Sequence, residues 1–320
     1  MNYGALIGDA FRITLRNRFL WFFGFFAGGT GLNYSGNIPS QVGNFNSNDF
    51  QSSSTSLSTM QLGQGIGSAA LIVGIVIVVL ILVLFFIIMS IISQGALADS
   101  VAAIDRGEGR RFGSTFRTGM GNFWRVLGFI VVFFLVGIGL LLVVGIPVAL
   151  LIGGTFAATE SVGARITVAV VVGILAVLLL IVIFIPLTII AQYALRDVVV
   201  RRERILGSVG SGYGLFRRNI GRSLLLWLIH LGLSIGIGIA FILVLLIVGL
   251  VLAIPAIALA VAGYTTAAII AGVIAAVILI PLLLVATGAI GTFSHAYWTL
   301  AYLRLTTQPT TSEGPSTTAL

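Results

Sequence analysis

Apolar residues in this chain come in long unbroken runs, separated by short polar segments. A helix needs roughly 20 consecutive apolar residues to cross the hydrocarbon of a bilayer, and several runs reach that length. The runs are continuous rather than alternating every second residue, which points away from a transmembrane barrel. About six spans are expected. The first covers Arg18 to Leu32 and is short and aromatic; the next three cover Ser68 to Ser93, Phe123 to Ile152 and Ile166 to Tyr193. A fifth starts at Ser223 and a sixth ends near Leu303. The stretch from Ser223 to Gly263 is too long for one upright crossing and too poor in polar residues for a hairpin, so it reads as one long helix broken near Pro255. Residues 33–67, rich in Asn, Ser, Gln and Gly, read as an external polar loop. Residues 306–320, rich in Thr, Ser and Pro, read as a disordered tail.

The polar segments repeat. Gly8, Phe11 and Asn17 have the spacing of Gly113, Phe116 and Asn122, and of Gly210, Tyr213 and Asn219. Each set precedes an outward run. At the ends of two inward runs, Gln94-x-Ala96-Leu97-x-Asp99 recurs as Gln192-x-Ala194-Leu195-x-Asp197. Ile146-Pro147 recurs as Ile254-Pro255, and Ile185-Pro186-Leu187 as Ile280-Pro281-Leu282. In this order the matches predict three units, about 1–93, 94–191 and 192–305. Each would be an amphipathic interfacial segment followed by a helical hairpin. Units that cross twice keep one orientation, so the repeats are parallel, about an axis along the membrane normal. The fold class expected is therefore all-α: a polytopic transmembrane helical bundle, a single integral membrane domain over residues 1–305.

Charge orients that bundle. All 17 basic residues are Arg and the net charge is +8. They cluster at Arg12/Arg16/Arg18, from Arg106 to Arg125, from Arg196 to Arg222 and at Arg304, which are alternate connections. Basic connections stay in the cytoplasm, so both termini are predicted there, in a bacterial inner (plasma) membrane, with Arg165 alone outside. The basic balance then reports topology rather than nucleic acid. The Arg-bearing N-terminus and apolar run from Phe19 to Gly29 imitate a signal peptide, but the segment shares the internal repeat and is expected to be retained.

The same counts remove chemistry. With no Cys and no Lys, disulfides, thiolate sites, Walker loops and Schiff-base lysines are excluded. None of the nine acidic residues falls near the middle of a predicted span, against proton or ion coupling and intramembrane aspartyl proteolysis. His230 and His295 make a poor metal set, and His230 reads as a helix–helix hydrogen bond. Gly207 to Gly214 resembles a phosphate loop without its Lys, and reads as a flexible break. No cofactor or metal is expected. Gly232-x-x-x-Gly236 and Ser234-x-x-x-Gly238 predict close helix packing.

The repeated segments carry the candidate sites: Arg12, Asn17, Arg117, Asn122, Arg217, Arg218 and Asn219. In the first copy Asp9, Arg12 and Arg16 share one face, and Leu6, Ala10, Ile13, Phe11 and Leu15 cover another; in the second, Phe112, Phe116, Met120 and Phe123 form an apolar stripe. Such helices lie in the headgroup plane with Arg toward phosphate. The repeated Gly is expected to give a turn or close packing, and the Asn to cap the following helix by accepting from its free N–H groups. Asp197, near Arg196 and Arg201, is expected in a helical ion pair on a solvated face.

An amphipathic Gly/Arg/Asn segment leading into Leu20-Trp21-Phe22-Phe23-Gly24, and repeated before later spans, resembles the membrane domain attached to some bacterial glycerophosphodiester phosphodiesterases and that domain's free-standing relatives. The resemblance covers Met1 to about Leu305. In that family the chemistry belongs to a separate α/β-barrel, which has no counterpart here, so the resemblance carries over no catalytic residue. Mitochondrial carriers share three hairpin repeats of similar length, but their Pro-x-Asp/Glu-x-x-Lys/Arg motif is missing here after the Pro of the spans. The expectation is a non-enzymatic module in contact with membrane lipids, anionic ones among them, with a homo-oligomer left open. The alternative is a transporter or channel for a neutral or lipid-like solute.

Overall fold

The computed structural model describes residues 2–28 and 67–307. Helix dominates these residues and no strand occurs among them. In chain order the helices are α1 (Tyr3–Arg16), α2 (Leu20–Gly28), α3 (Gly67–Asp105), α4 (Phe112–Gly121), α5 (Phe123–Ala158), α6 (Val162–Val200), α7 (Ile205–Arg218), α8 (Ile220–Val261) and α9 (Thr265–Thr307). Five of them, α3, α5, α6, α8 and α9, are long and apolar enough to cross a membrane. The chain is a helical membrane protein.

The long helices overshoot the bilayer. At 1.5 Å per residue, the 39 residues of α3 or α6 reach about 58 Å, against a hydrocarbon core of about 30 Å. Burial divides α3, α6 and α9 accordingly. In α3, residues 72–88 are exposed and apolar on every side, whereas 90–98 are buried. In α6 the buried stretch is 189–199, and in α9 it runs from 288 to 305 with few gaps. An all-round apolar surface is suited to lipid; the buried ends form the protein core. There α9 packs on α1, α2, α3 and α8, α4 packs on α3, and α7 packs on α6.

α2 is the most closely held element. A Cβ on Gly24 would lie 2.1 Å from the Gly288 carbonyl oxygen, and one on Gly291 would lie 2.1 Å from that of Gly24. Thr292 Oγ1 donates to the Leu20 carbonyl at 2.9 Å, and Trp21 Nε1 ties α2 back to α1 through the Thr14 carbonyl at 2.8 Å. Backbones that approach so closely leave room only for hydrogen at Cα.

Several expectations change. The close packing expected at Gly232, Gly236 and Gly238 is absent, because a Cβ at each would meet open space; the glycine crossing is between α2 and α9. α8 runs unbroken through Pro255 instead of breaking there, and Pro147, Pro186 and Pro281 also sit inside continuous helices. Gly207 to Gly214 lies within α7 and is no break. Of the first expected span, α2 accounts for nine residues, about 14 Å. Residues 29–32 of that span, residues 33–66 of the external loop and residues 308–320 of the tail lie outside the described residues.

Candidate functional site

The three amphipathic segments are α1, α4 and α7, and each ends at its repeated Asn. Asn17 Nδ2 donates to the Ile13 carbonyl at 3.0 Å, Asn122 Nδ2 to Thr118 at 3.1 Å and Asn219 Nδ2 to Leu215 at 3.3 Å. The expected direction of capping is therefore reversed. These residues close the preceding helix, and neither Asn122 nor Asn219 caps the next one through its side chain. An Asn amide carries donors as well as an acceptor, and here a last-turn carbonyl behind it takes the donor; those of Ile13 and Thr118 also accept the backbone N–H of the same Asn.

Burial on these helices keeps one register. Counting back from the Asn, positions three and seven before it are buried in every copy: Thr14 and Ala10, Gly119 and Thr115, Phe216 and Gly212. Positions this far apart share a helical face. The repeated Gly8, Gly113 and Gly210 lie off it, with open space where a Cβ would be; they make neither a turn nor a close contact. The small residues that do touch the core are Gly119, against the Ile92 carbonyl and Ala96, and Gly212, against Ile190 and Ala194. The Phe112–Phe123 stripe is likewise not the buried face of α4, since Phe112 and Met120 are exposed.

The opposite face carries the candidate arginines. Arg12, Arg117, Arg217 and Arg218 are all exposed, and Arg12 lies only 3.9 Å from Asp9. Arg217 and Arg218 occupy the last turn of α7, where cations complement the helix dipole. Large apolar side chains stand beside them: Phe11, Phe112, Met120, Trp124, Leu206 and Tyr213 are exposed. The candidate arginines thus share an environment without being drawn into one pocket. At the α3–α4 link Arg106 donates to Glu108 at 2.8 Å, which holds that carboxyl below its ordinary range. Arg110 pairs with Asp99 at 2.9 Å.

The core holds a second polar group. Asp197 is buried, not solvated as expected: Tyr302 donates to Oδ1 at 2.6 Å, Ser211 to Oδ2 at 2.5 Å, and Arg201 approaches to 3.7 Å. Arg196, expected on the same solvated face, has no exposure at all. Tyr193 donates to Ser223 at 3.1 Å and Tyr297 to the Leu226 carbonyl at 2.8 Å. His230 Nε2 meets Ser294 Oγ at 2.9 Å, the helix–helix hydrogen bond read from sequence, and its ring lies 5.3 Å from Tyr297 and 5.4 Å from Trp298. No group of three metal-ligating side chains occurs among the described residues.

Sequence reasoning missed this core because its α9 side, Tyr297 to Tyr302, does not look like the Gln-x-Ala-Leu-x-Asp segments of α3 and α6. Gln94–Asp99 and Gln192–Asp197 align without a gap with Tyr297-Trp298-Thr299-Leu300-Ala301-Tyr302. Tyrosines replace both polar ends, while the central Leu97, Leu195 and Leu300 are all buried. In that alignment Arg196 stands where the other segments have Ala98 and Ala301, both without exposure.

Residues 19–308 match the model of DUF7544, a family of unknown function. No curated protein and no solved structure matches the chain.

Proposed function

The chain belongs to that family, and we propose from its own geometry that it is a non-enzymatic, lipid-contacting module of the bacterial inner membrane. One observation carries the reading: α1, α4 and α7 each press the face that holds positions three and seven before the Asn onto the core and turn arginine and bulky apolar side chains outward. That pairing suits the headgroup boundary, where apolar groups enter the acyl region and guanidinium meets phosphate. The finer architecture belongs to the same reading. Three parallel hairpins give six crossings, with α2 leading the first outward one and both termini cytoplasmic. The short helices then ring the inner face.

Juxtamembrane arginines attract anionic lipid by about 1 kcal/mol each. The Arg117→Glu/Arg217→Glu/Arg218→Glu variant should therefore retain at least about tenfold less phosphatidylglycerol than wild type, measured by native mass spectrometry from mixed micelles. Equal retention would reject the reading. The alternative, a transporter or channel for a neutral or lipid-like solute, needs a path along the bundle. Such a path would have to run past Tyr193, Tyr297, Trp298 and Leu300, which are buried at the core end of the bundle.

A further inference from the structure

Arg196 is fully buried and half satisfied. Its Nη1 donates to the Gln192 carbonyl at 2.9 Å and also to the Gln192 side-chain oxygen. Its Nε and Nη2 are buried without a partner. The adjacent Asp197 does not neutralise it, because that carboxylate is engaged by Tyr302, Ser211 and Arg201. A desolvated guanidinium with open N–H groups is costly by several kcal/mol. The unpaired nitrogens are adjacent on one edge of the guanidinium, the arrangement that holds two oxygens of a carboxylate or phosphate at once.

Further buried groups of the core are unpaired. Trp298 Nε1, His295 Nδ1, Ser90 Oγ and Ser93 Oγ are all buried without a partner. Helical side chains lean toward the N-terminus, and Arg196 reaches back to Gln192, which aligns with Gln94 and Tyr297. In the same alignment Ser93, His295 and Trp298 fall within about one turn of that level. The Tyr193 and Trp298 rings are 6.2 Å apart, so the indole stands beside the turn of α6 that carries Arg196. The guanidinium is within electrostatic range of both His230 and His295. Indole, hydroxyl and guanidinium can all donate, and the unpaired groups include no carboxylate.

We propose that this level of the core is an internal oxyanion site, in which Arg196 Nε and Nη2 and the Trp298 indole N–H take a phosphate group. The phosphate belongs either to a lipid headgroup reaching in from the inner leaflet or to a free anion. The site is separate from the outward arginines of the short helices and does not depend on their role.

The test uses the full chain purified into maltoside micelles, which bring no phosphate of their own. Inorganic phosphate is titrated while the melting temperature is followed, and in parallel phosphatidylglycerol is added and retained lipid is counted by native mass spectrometry. A saturable phosphate-dependent rise assigns the site to a free anion. Retained phosphatidylglycerol without a phosphate response assigns it to a headgroup, provided that Arg196→Met removes the retention that survives in the Arg117→Glu/Arg217→Glu/Arg218→Glu background. Trp298→Phe, which keeps a ring but removes the N–H, should weaken binding by about tenfold. It carries the test alone if Arg196→Met does not fold. Arg196→Met should also melt higher than anion-free wild type, because an unpaired buried charge is gone. Wild type binding neither probe, or unchanged binding in either variant, overturns the site. The triple Arg→Glu variant of the short helices should leave the phosphate response intact, so the two proposals fail separately.

Discussion

Asp197 shows how little a residue's type says about its surroundings. Its sequence neighbours are arginines, and a pair with Arg201 four residues on was legible from spacing alone. That pair exists at 3.7 Å, yet the carboxylate is buried because Tyr302, 105 positions later, caps it at 2.6 Å. Removing the phenol leaves a buried carboxylate short of a donor. Tyr302→Phe should therefore lower stability by about 1.5–3 kcal/mol, followed by denaturant unfolding in detergent. Tyr213→Phe, on the exposed face of α7, should stay within about 0.5 kcal/mol of wild type. Similar losses from both would mean that the Tyr302–Asp197 bond is not a stabilising contact. The repeated asparagines teach the same lesson on a smaller scale. Spacing marked them as helix boundaries, but whether an amide donates backward or accepts forward depends on local backbone geometry that spacing does not contain.

Elements were easier to read than their contacts. Long apolar runs become α3, α5, α6, α8 and α9, and the Gly/aromatic/Asn segments become α1, α4 and α7. Glycine was the least legible residue type. With 40 of them, pairs at helical spacing arise by chance, and only the partner helix decides which are essential. Gly24→Ala would place a methyl 2.1 Å from the Gly288 oxygen. It should cost about 1–3 kcal/mol or more as α2 and α9 are forced apart. Gly232→Ala, in open space, should be neutral or stabilise by up to about 1 kcal/mol through helix propensity. Thermal unfolding of the two variants side by side checks the α2–α9 crossing, and equal melting temperatures would refute it.

For the whole molecule, orientation rests on the sidedness of arginine. The chain has no Cys, so single-cysteine variants need no background correction. Under the three-hairpin proposal Arg202→Cys should be shielded from an impermeant maleimide in intact cells, and Ser53→Cys should react. The opposite pattern would remove both the cytoplasmic ring of short helices and the headgroup role given to them. The sequence by itself determined that the chain is helical and that its long helices suit a bilayer. Hydrophobic run length and the need to satisfy backbone hydrogen bonds in lipid leave little else. Only the tertiary structure decided which glycines touch, which face of each short helix meets the core, and that Arg196 is buried where the aligned segments of α3 and α9 hold alanines. Those outcomes depend on which helices meet, and contacts between residues far apart in the chain leave no local pattern to read.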